Sequence, residues 1–268
     1  MALPEPLRAA LEGLIAQQPL HGLLAALPAD LAAVAGTPEG LLAILLSLAL
    51  GALCLLALAG GRRQRTGSTI LLCGPAGGGK TTLFFTLVDG STHNGVVASM
   101  RENAGTAAIP SPRGGTKAAR LLDVPGHHAF RHRLEAALGE AAGVVFVVDA
   151  VDITPHRLEA ADALWEVLCH PGVQRRRTPL LVACNKADLD EEAHSVDFIR
   201  KTLERQLDAM RRTKTAGIGK DAAGSAAALG PADAPFSFAG LRSRVLLAEC
   251  SAQEGQLGDV TAFMAACV

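Results

Sequence analysis

Residues 74–81 read Gly-Pro-Ala-Gly-Gly-Gly-Lys-Thr, which fits G-x-x-x-x-G-K-[ST], the spacing of a loop that cradles phosphates. Each residue type has a physical role there. Glycines let successive backbone N–H groups converge on phosphate oxygens with no Cβ in the way. Lys80 brings a point positive charge to the β- and γ-phosphates, and the Thr81 hydroxyl is a hard oxygen ligand suited to Mg²⁺. The apolar run Thr69–Cys73 reads as a strand and residues 82–88 as a helix, whose N-terminus adds positive potential. Strand, glycine loop and helix is the context that separates this pattern from a chance glycine-rich turn. It assigns Gly74, Ala76, Gly77, Gly78, Gly79, Lys80, Thr81 and Thr82 to the phosphates.

Further segments extend the chemistry. Residues 119–123 form an apolar strand that ends at Asp123 and continues into Val-Pro-Gly126-His127. Asp123 is placed to hold Mg²⁺ through water, and the Gly126 N–H to meet a γ-phosphate oxygen. D-x-x-G alone is a weak pattern that many surface turns carry. Asn185-Lys186-Ala187-Asp188 follows the strand 179–184 and selects a base. A carboxylate at Asp188 accepts from both N1–H and N2–H₂ of guanine, whereas adenine presents a bare acceptor at the matching ring nitrogen. The Lys186 stem can lie over the purine, and Asn185 can tie this loop to the phosphate loop. After the strand 244–248 comes Glu-Cys-Ser251-Ala252, whose backbone is expected to meet guanine O6. Four segments in this order specify GTP with Mg²⁺ far more strongly than any one of them.

The elements between these loops alternate. Residues 143–148 (GVVFVV) read as a buried strand ending at Asp149. Residues 157–170, 193–212 and 256–267 read as helices. Near-continuous apolar strands alternating with helices predict an α/β fold with a mostly parallel six-stranded sheet covered on both faces. The ligand loops then gather at the C-terminal strand ends.

Composition sets the boundaries. The 268 residues are 49% apolar and 19% charged with a net charge of −1, which disfavours a nucleic-acid binder. The six cysteines form no C-x-x-C pair and read as reduced and largely buried. Residues 41–60 carry no charge and one hydroxyl, Ser47. Twenty helical residues span roughly 30 Å, the thickness of a bilayer core. Arg62, Arg63 and Arg65 follow, while Arg8 stands against Glu5, Glu12, Asp30 and Glu39 on the other side. The positive-inside rule puts the C-terminal side in the cytosol. A cleaved signal peptide fits poorly, because the run is too long, too far from Met1 and preceded by acids. The expected domains are a short luminal segment 1–40, a transmembrane helix 41–60, a basic linker 61–67 and a cytosolic GTPase domain 68–268, with a flexible insertion at 213–235.

These residues resemble the small-GTPase superfamily over about residues 68–268, and within it the family of the signal recognition particle receptor β subunit. A span running directly into the phosphate-loop strand, D-V-P-G-H at 123–127, F-V-V-D at 146–149, A-C-N-K at 183–186 and the long insertion before Phe236 carry the resemblance. It implies a Ras-like GTP-binding switch in the endoplasmic reticulum membrane, single-pass, that anchors the receptor's α subunit. Through that subunit it would serve the signal recognition particle, the ribosome and the translocon. An Arf-like trafficking GTPase with a fixed anchor and regulated hydrolysis is the alternative.

Departures from the pattern bear on turnover. The resemblance puts Ala98, with Ser99 beside it, where a switch threonine closes on Mg²⁺. His127 stands where Ras-like proteins carry a catalytic, water-positioning glutamine, and no arginine finger is assignable. Slow intrinsic hydrolysis and a mainly GTP-loaded state follow. His128, Arg131, His132 and Arg133 read as a solvated helix face, residues 175–177 as a solvated loop, and Trp165 as a core anchor.

Overall fold

The computed structural model describes residues 69–91, 101–110, 114–126, 130–189, 191–216, 229–230 and 234–268, with isolated positions before residue 69. The chain divides into two compact units, Met1–Arg65 and Thr66–Val268.

In the first unit, Leu42, Ala43, Leu46, Ser47, Leu50 and Gly51 are helical, and Leu46 and Leu50 are 62% and 64% exposed. Most of the expected span 41–60 lies outside the described residues. Among the described residues no helix is long and apolar enough to cross a membrane.

The second unit runs β1 (Thr69–Cys73), α1 (Lys80–Asp89), β2 (Asn103–Pro110), β3 (Thr116–Asp123), α2 (Arg131–Glu140), β4 (Gly143–Asp149), α3 (Ile153–Cys169), α4 (Pro171–Arg176), β5 (Leu180–Asn185), α5 (Val196–Ala216), a 3₁₀ turn (Phe238–Gly240), β6 (Val245–Glu249) and α6 (Gly258–Cys267). The six strands order as β2-β3-β1-β4-β5-β6. Only β2 is antiparallel, pairing with β3 from Asn103↔Asp123 to Pro110↔Thr116. The expected α/β sheet is therefore present, with helices on both faces.

Two apolar layers hold it. One face packs Leu71, Phe146, Val148, Val182 and Cys184 against Leu164, Trp165, Leu168, Ile199 and Leu203. The other packs Ile70, Leu72, Val145 and Val147 against Leu83, Phe84, Val260, Phe263 and Met264. Alternate residues of β4 thus serve opposite layers, as the period of two along a strand requires. Each core side chain of this size contributes about 1.5–3 kcal/mol on burial. Among the described residues, both layers lie within Thr66–Val268. Trp165 is a core anchor, as expected, at 4% exposure.

Residues 175–177 close a short helix rather than a loop, with Arg175 and Arg177 exposed as expected. Pro171 opens α4, the His170 ring nitrogen accepts the Gly172 N–H, and Arg177 closes the turn at φ 52. Arg176 lies half-buried and donates to the Leu138 carbonyl at 2.7 Å. Arg131, His132 and Arg133 are exposed, as expected of a solvated helix face, and Arg131 and Arg133 form surface ion pairs with Glu166 and Glu102.

The insertion is tied at both ends. Helix α5 continues into it as far as Ala216. The buried Arg211 donates to Asp208 and to the Leu229 and Ala234 carbonyls. Asp208 accepts the Phe236 N–H at 3.1 Å and Glu204 the Phe238 N–H at 2.9 Å. Two carboxylates one turn apart on α5 thus grip alternate N–H groups of the returning chain, while Phe236 and Phe238 enter the core. Residues 217–228 lie outside the described residues.

Candidate nucleotide-binding site

The phosphate loop links β1 to α1, and its backbone leaves room for nothing larger than glycine at key points. Gly74, Gly77 and Gly79 have φ of 134, 77 and 85, a region that side-chain-bearing residues avoid. A Cβ on Gly74 would overlap the Val147 carbonyl, and one on Gly79 would overlap the Asn185 amide. A Cβ on Gly126 would fall 2.5 Å from the Gly74 carbonyl oxygen, so the D-x-x-G turn abuts the phosphate loop directly.

Lys80 is 6% exposed and donates to the Pro75 carbonyl at 2.7 Å, folding its ammonium back over the loop. Burial pulls its pKa below the ordinary 10.5, opposed by the neighbouring Asp123. An ammonium short of solvation is poised to gain from an arriving phosphate.

The Thr81 hydroxyl donates to Asp123 Oδ2 at 2.9 Å, and the Asn103 amide donates to the same oxygen at 3.0 Å. Asp123 is fully buried, and its other oxygen, Oδ1, has no hydrogen-bond partner among the described residues. A buried carboxylate oxygen without a donor is costly unless something positive completes it. A hydroxyl and a carboxylate are also the hard donor pair that Mg²⁺ prefers. The residues therefore fit a Mg²⁺ ion held by Thr81 and, directly or through water, by Asp123.

Asn185 joins the loops. At 3% exposure it donates to the Gly78 carbonyl and accepts the Ala252 N–H, both at 2.9 Å. The phosphate loop, the N-K-x-D turn and the last loop are thereby fixed relative to one another. Thr86 on α1 reinforces the link by donating to the Ala252 carbonyl at 2.8 Å. The Ala252 N–H, expected on guanine O6, is thus engaged by Asn185 in this structure. Ser251 is fully buried, and its hydroxyl accepts the Glu254 N–H to form the turn.

Lys186 adopts φ 67, uncommon for a residue with a side chain, and its ammonium pairs with Asp149 at the end of β4. Asp149 also accepts the Val151 N–H at 3.0 Å, so it anchors its own loop and Lys186 together. Asp188 is half-exposed, and its carboxylate engages no described residue, which leaves it available to a base. His127 and Ser99 lie outside the described residues, while Gly126 is exposed at the mouth of the site. The structure adds Asn103, Asp149 and Thr86 to the residues read from sequence. Asp149 closing a GVVFVVD strand was the only one with a visible signal; the others act through contacts far apart in the chain.

A family profile described as the signal recognition particle receptor beta subunit matches residues 65–245. The chain belongs to this family. The signal recognition particle receptor subunit beta of Mus musculus is 32% identical over 200 residues, covering 74% of this chain and 72% of that protein. Its counterpart in Dictyostelium discoideum is 26% identical over 204 residues, covering 74% and 69%. A chain from the structure of the mammalian signal recognition particle receptor superposes with a TM-score of 0.65 at 28% identity, covering 75% of this chain and all of that one. A small GTPase from Trypanosoma brucei, solved with the nucleotide analogue GppNp, superposes at 0.51 with 17% identity over 74% of this chain and 94% of that one, a likeness of fold. In this β-subunit family member the sheet order and the motif loops coincide in one Ras-like domain.

Proposed function

We propose that the chain is a membrane-anchored GTP-binding switch that holds the α subunit of the signal recognition particle receptor at the endoplasmic reticulum for cotranslational protein targeting. The observation that carries the reading is Asn185, whose paired hydrogen bonds preform a cradle for base and phosphates in a chain of this family. The glycine loop wraps the phosphates, Lys80 meets the β- and γ-oxygens, and Asp188 selects guanine. Mg²⁺, held by Thr81 and Asp123, would neutralise charge on the β- and γ-phosphates. The Gly126 N–H and the loops bearing Ser99 and His127 would order around the γ-phosphate and present the α-subunit surface. The chain would thereby connect indirectly with the signal recognition particle, the ribosome and the translocon.

The apolar run 41–60, with Leu46 and Leu50 exposed on a helix, supports a single-pass anchor with the GTPase unit in the cytosol. Histidine at 127 supports slow hydrolysis. The test is to purify the full chain in mild detergent, denature it and chromatograph what is released. Retained GTP, with capture of the α subunit lost on exchange for GDP, is the expected result. Retained GDP with many turnovers per minute would replace this reading with the Arf-like cycling GTPase.

A further inference from the structure

The end of the domain opposite the nucleotide is basic. The strand starts form one row, because Ala142 N–H donates to Thr69 O, Val144 N–H to Pro179 O and Leu180 N–H to Arg244 O, at 2.8–3.0 Å. Arg175 and Arg177 lie just before β5, Arg242 and Arg244 just before β6, and Lys117 at the start of β3; all five are exposed. None forms an ion pair with a described residue. Arg175 and Arg176 lie close enough for their charges to oppose each other. Among the described residues, Asp89 and Glu140 at the C-termini of α1 and α2 place carboxylates at this end. The nucleotide end carries Asp149, Asp152, Asp188, Glu191, Glu192 and Glu254 in or beside its loops against Lys80, Lys186 and Arg157, with Lys186 paired to Asp149. A chain of net charge −1 is thus polarised along its strands.

We infer that this basic end is a contact surface for anionic phospholipid headgroups. The reading rests on the proposed anchor. The apolar run ends at residue 60 and β1 begins at Thr69. The eight residues between reach at most about 29 Å when extended. They carry Arg62, Arg63 and Arg65, the same sign of charge as the strand starts. Headgroup charge acts over roughly 8 Å at physiological salt, so exposed cations that touch the surface gain from it while more distant charges do not. Arginine suits the task, since its guanidinium forks onto phosphate oxygens.

The test uses the unit Thr66–Val268, which contains both core layers, sedimented with phosphatidylcholine vesicles with or without phosphatidylserine. Binding to the anionic vesicles at least about tenfold above the neutral ones, and lost at high salt, is expected. Arg175→Glu, Arg177→Glu, Arg242→Glu and Arg244→Glu combined should abolish it while leaving nucleotide content unchanged. If that variant fails to fold, the salt titration of the unaltered unit decides. Equal binding to both vesicles, or tighter retention on single-stranded RNA, overturns the inference. Alkaline carbonate extraction of the full chain from membranes tests the anchor separately: release would sink the anchoring reading and leave the vesicle result to stand by itself.

Discussion

Replacing Asn185 by alanine tests the idea that one amide holds three loops together. The side chain is 3% exposed and bonds to Gly78 O and Ala252 N–H at 2.9 Å each. Alanine strands both backbone groups where little water reaches them, at about 1–3 kcal/mol apiece, or about 2–6 kcal/mol together. In a domain of about 200 residues each kcal/mol moves the melting temperature by about 2–4 °C. The expected drop is therefore at least about 4 °C, with a central value near 10 °C. The single tryptophan, Trp165, is buried in the core and gives a fluorescence signal for the melt. GTP affinity, by titration on the same samples, should fall at least about tenfold, or about 1.4 kcal/mol, because the base loop loses its register with the phosphate loop. Asn185→Asp keeps the acceptor for Ala252 but turns an oxygen toward the Gly78 carbonyl, and should be no better than alanine. A melt within about 1 °C of the unaltered protein, with affinity unchanged, would show that the loops hold their places without this residue.

Chelation should speed nucleotide release from the unaltered chain, and Asp123→Ala should lower Mg²⁺ affinity by about 10–100-fold, read by Mn²⁺ competition; release from the variant that still responds fully to chelator would refute the assignment. Lys80 has a folded pKa below 10.5, so its buried ammonium costs stability at neutral pH, and that cost is relieved as pH rises through the folded pKa toward 10.5. Phosphate needs the charged form, so GTP affinity should fall over the same alkaline interval while the free protein's stability rises; both moving together would contradict this. Burial holds the His170 pKa below 6.5, and the neutral ring caps α4 through the Gly172 N–H at 3.2 Å. That contribution is complete above pH 6.5 and is lost as pH falls through the folded pKa. His170→Ala should cost about 1 kcal/mol at neutral pH and flatten this part of the stability profile, measured by urea unfolding.

Strand β1 was legible residue for residue, because an unbroken apolar run before a glycine loop admits few other forms. So were the loops bearing Lys80, Asp123 and Asp188, whose chemistry is local. Strand β2 was not legible, since Asn-Ala-Gly-Thr-Ala-Ala-Ile-Pro has little strand propensity. Its small residues answer to packing: a Cβ at Gly105 would come 3.0 Å from Phe84 and Val88 on α1. Helix α3 begins at Ile153, ahead of the expected residue 157, because Pro155 falls in its first turn, where a missing N–H costs nothing. Helix α5 begins at Val196, behind the expected residue 193, where Ser195 accepts the Phe198 N–H. The bonds of Asn185 link positions 107 and 67 residues apart and leave no periodic trace.

The grip of Glu204 and Asp208 on the chain returning at Phe236 and Phe238 separates the length of the insertion from the position of β6. Strand β6 leads into Ser251 and Ala252, so the loop that faces the base is indifferent to how much chain is spliced in upstream. For a closed loop, doubling its length costs only about 0.6 kcal/mol of entropy. A fluorescent reporter or affinity handle grafted within 217–228 should leave the nucleotide cradle intact.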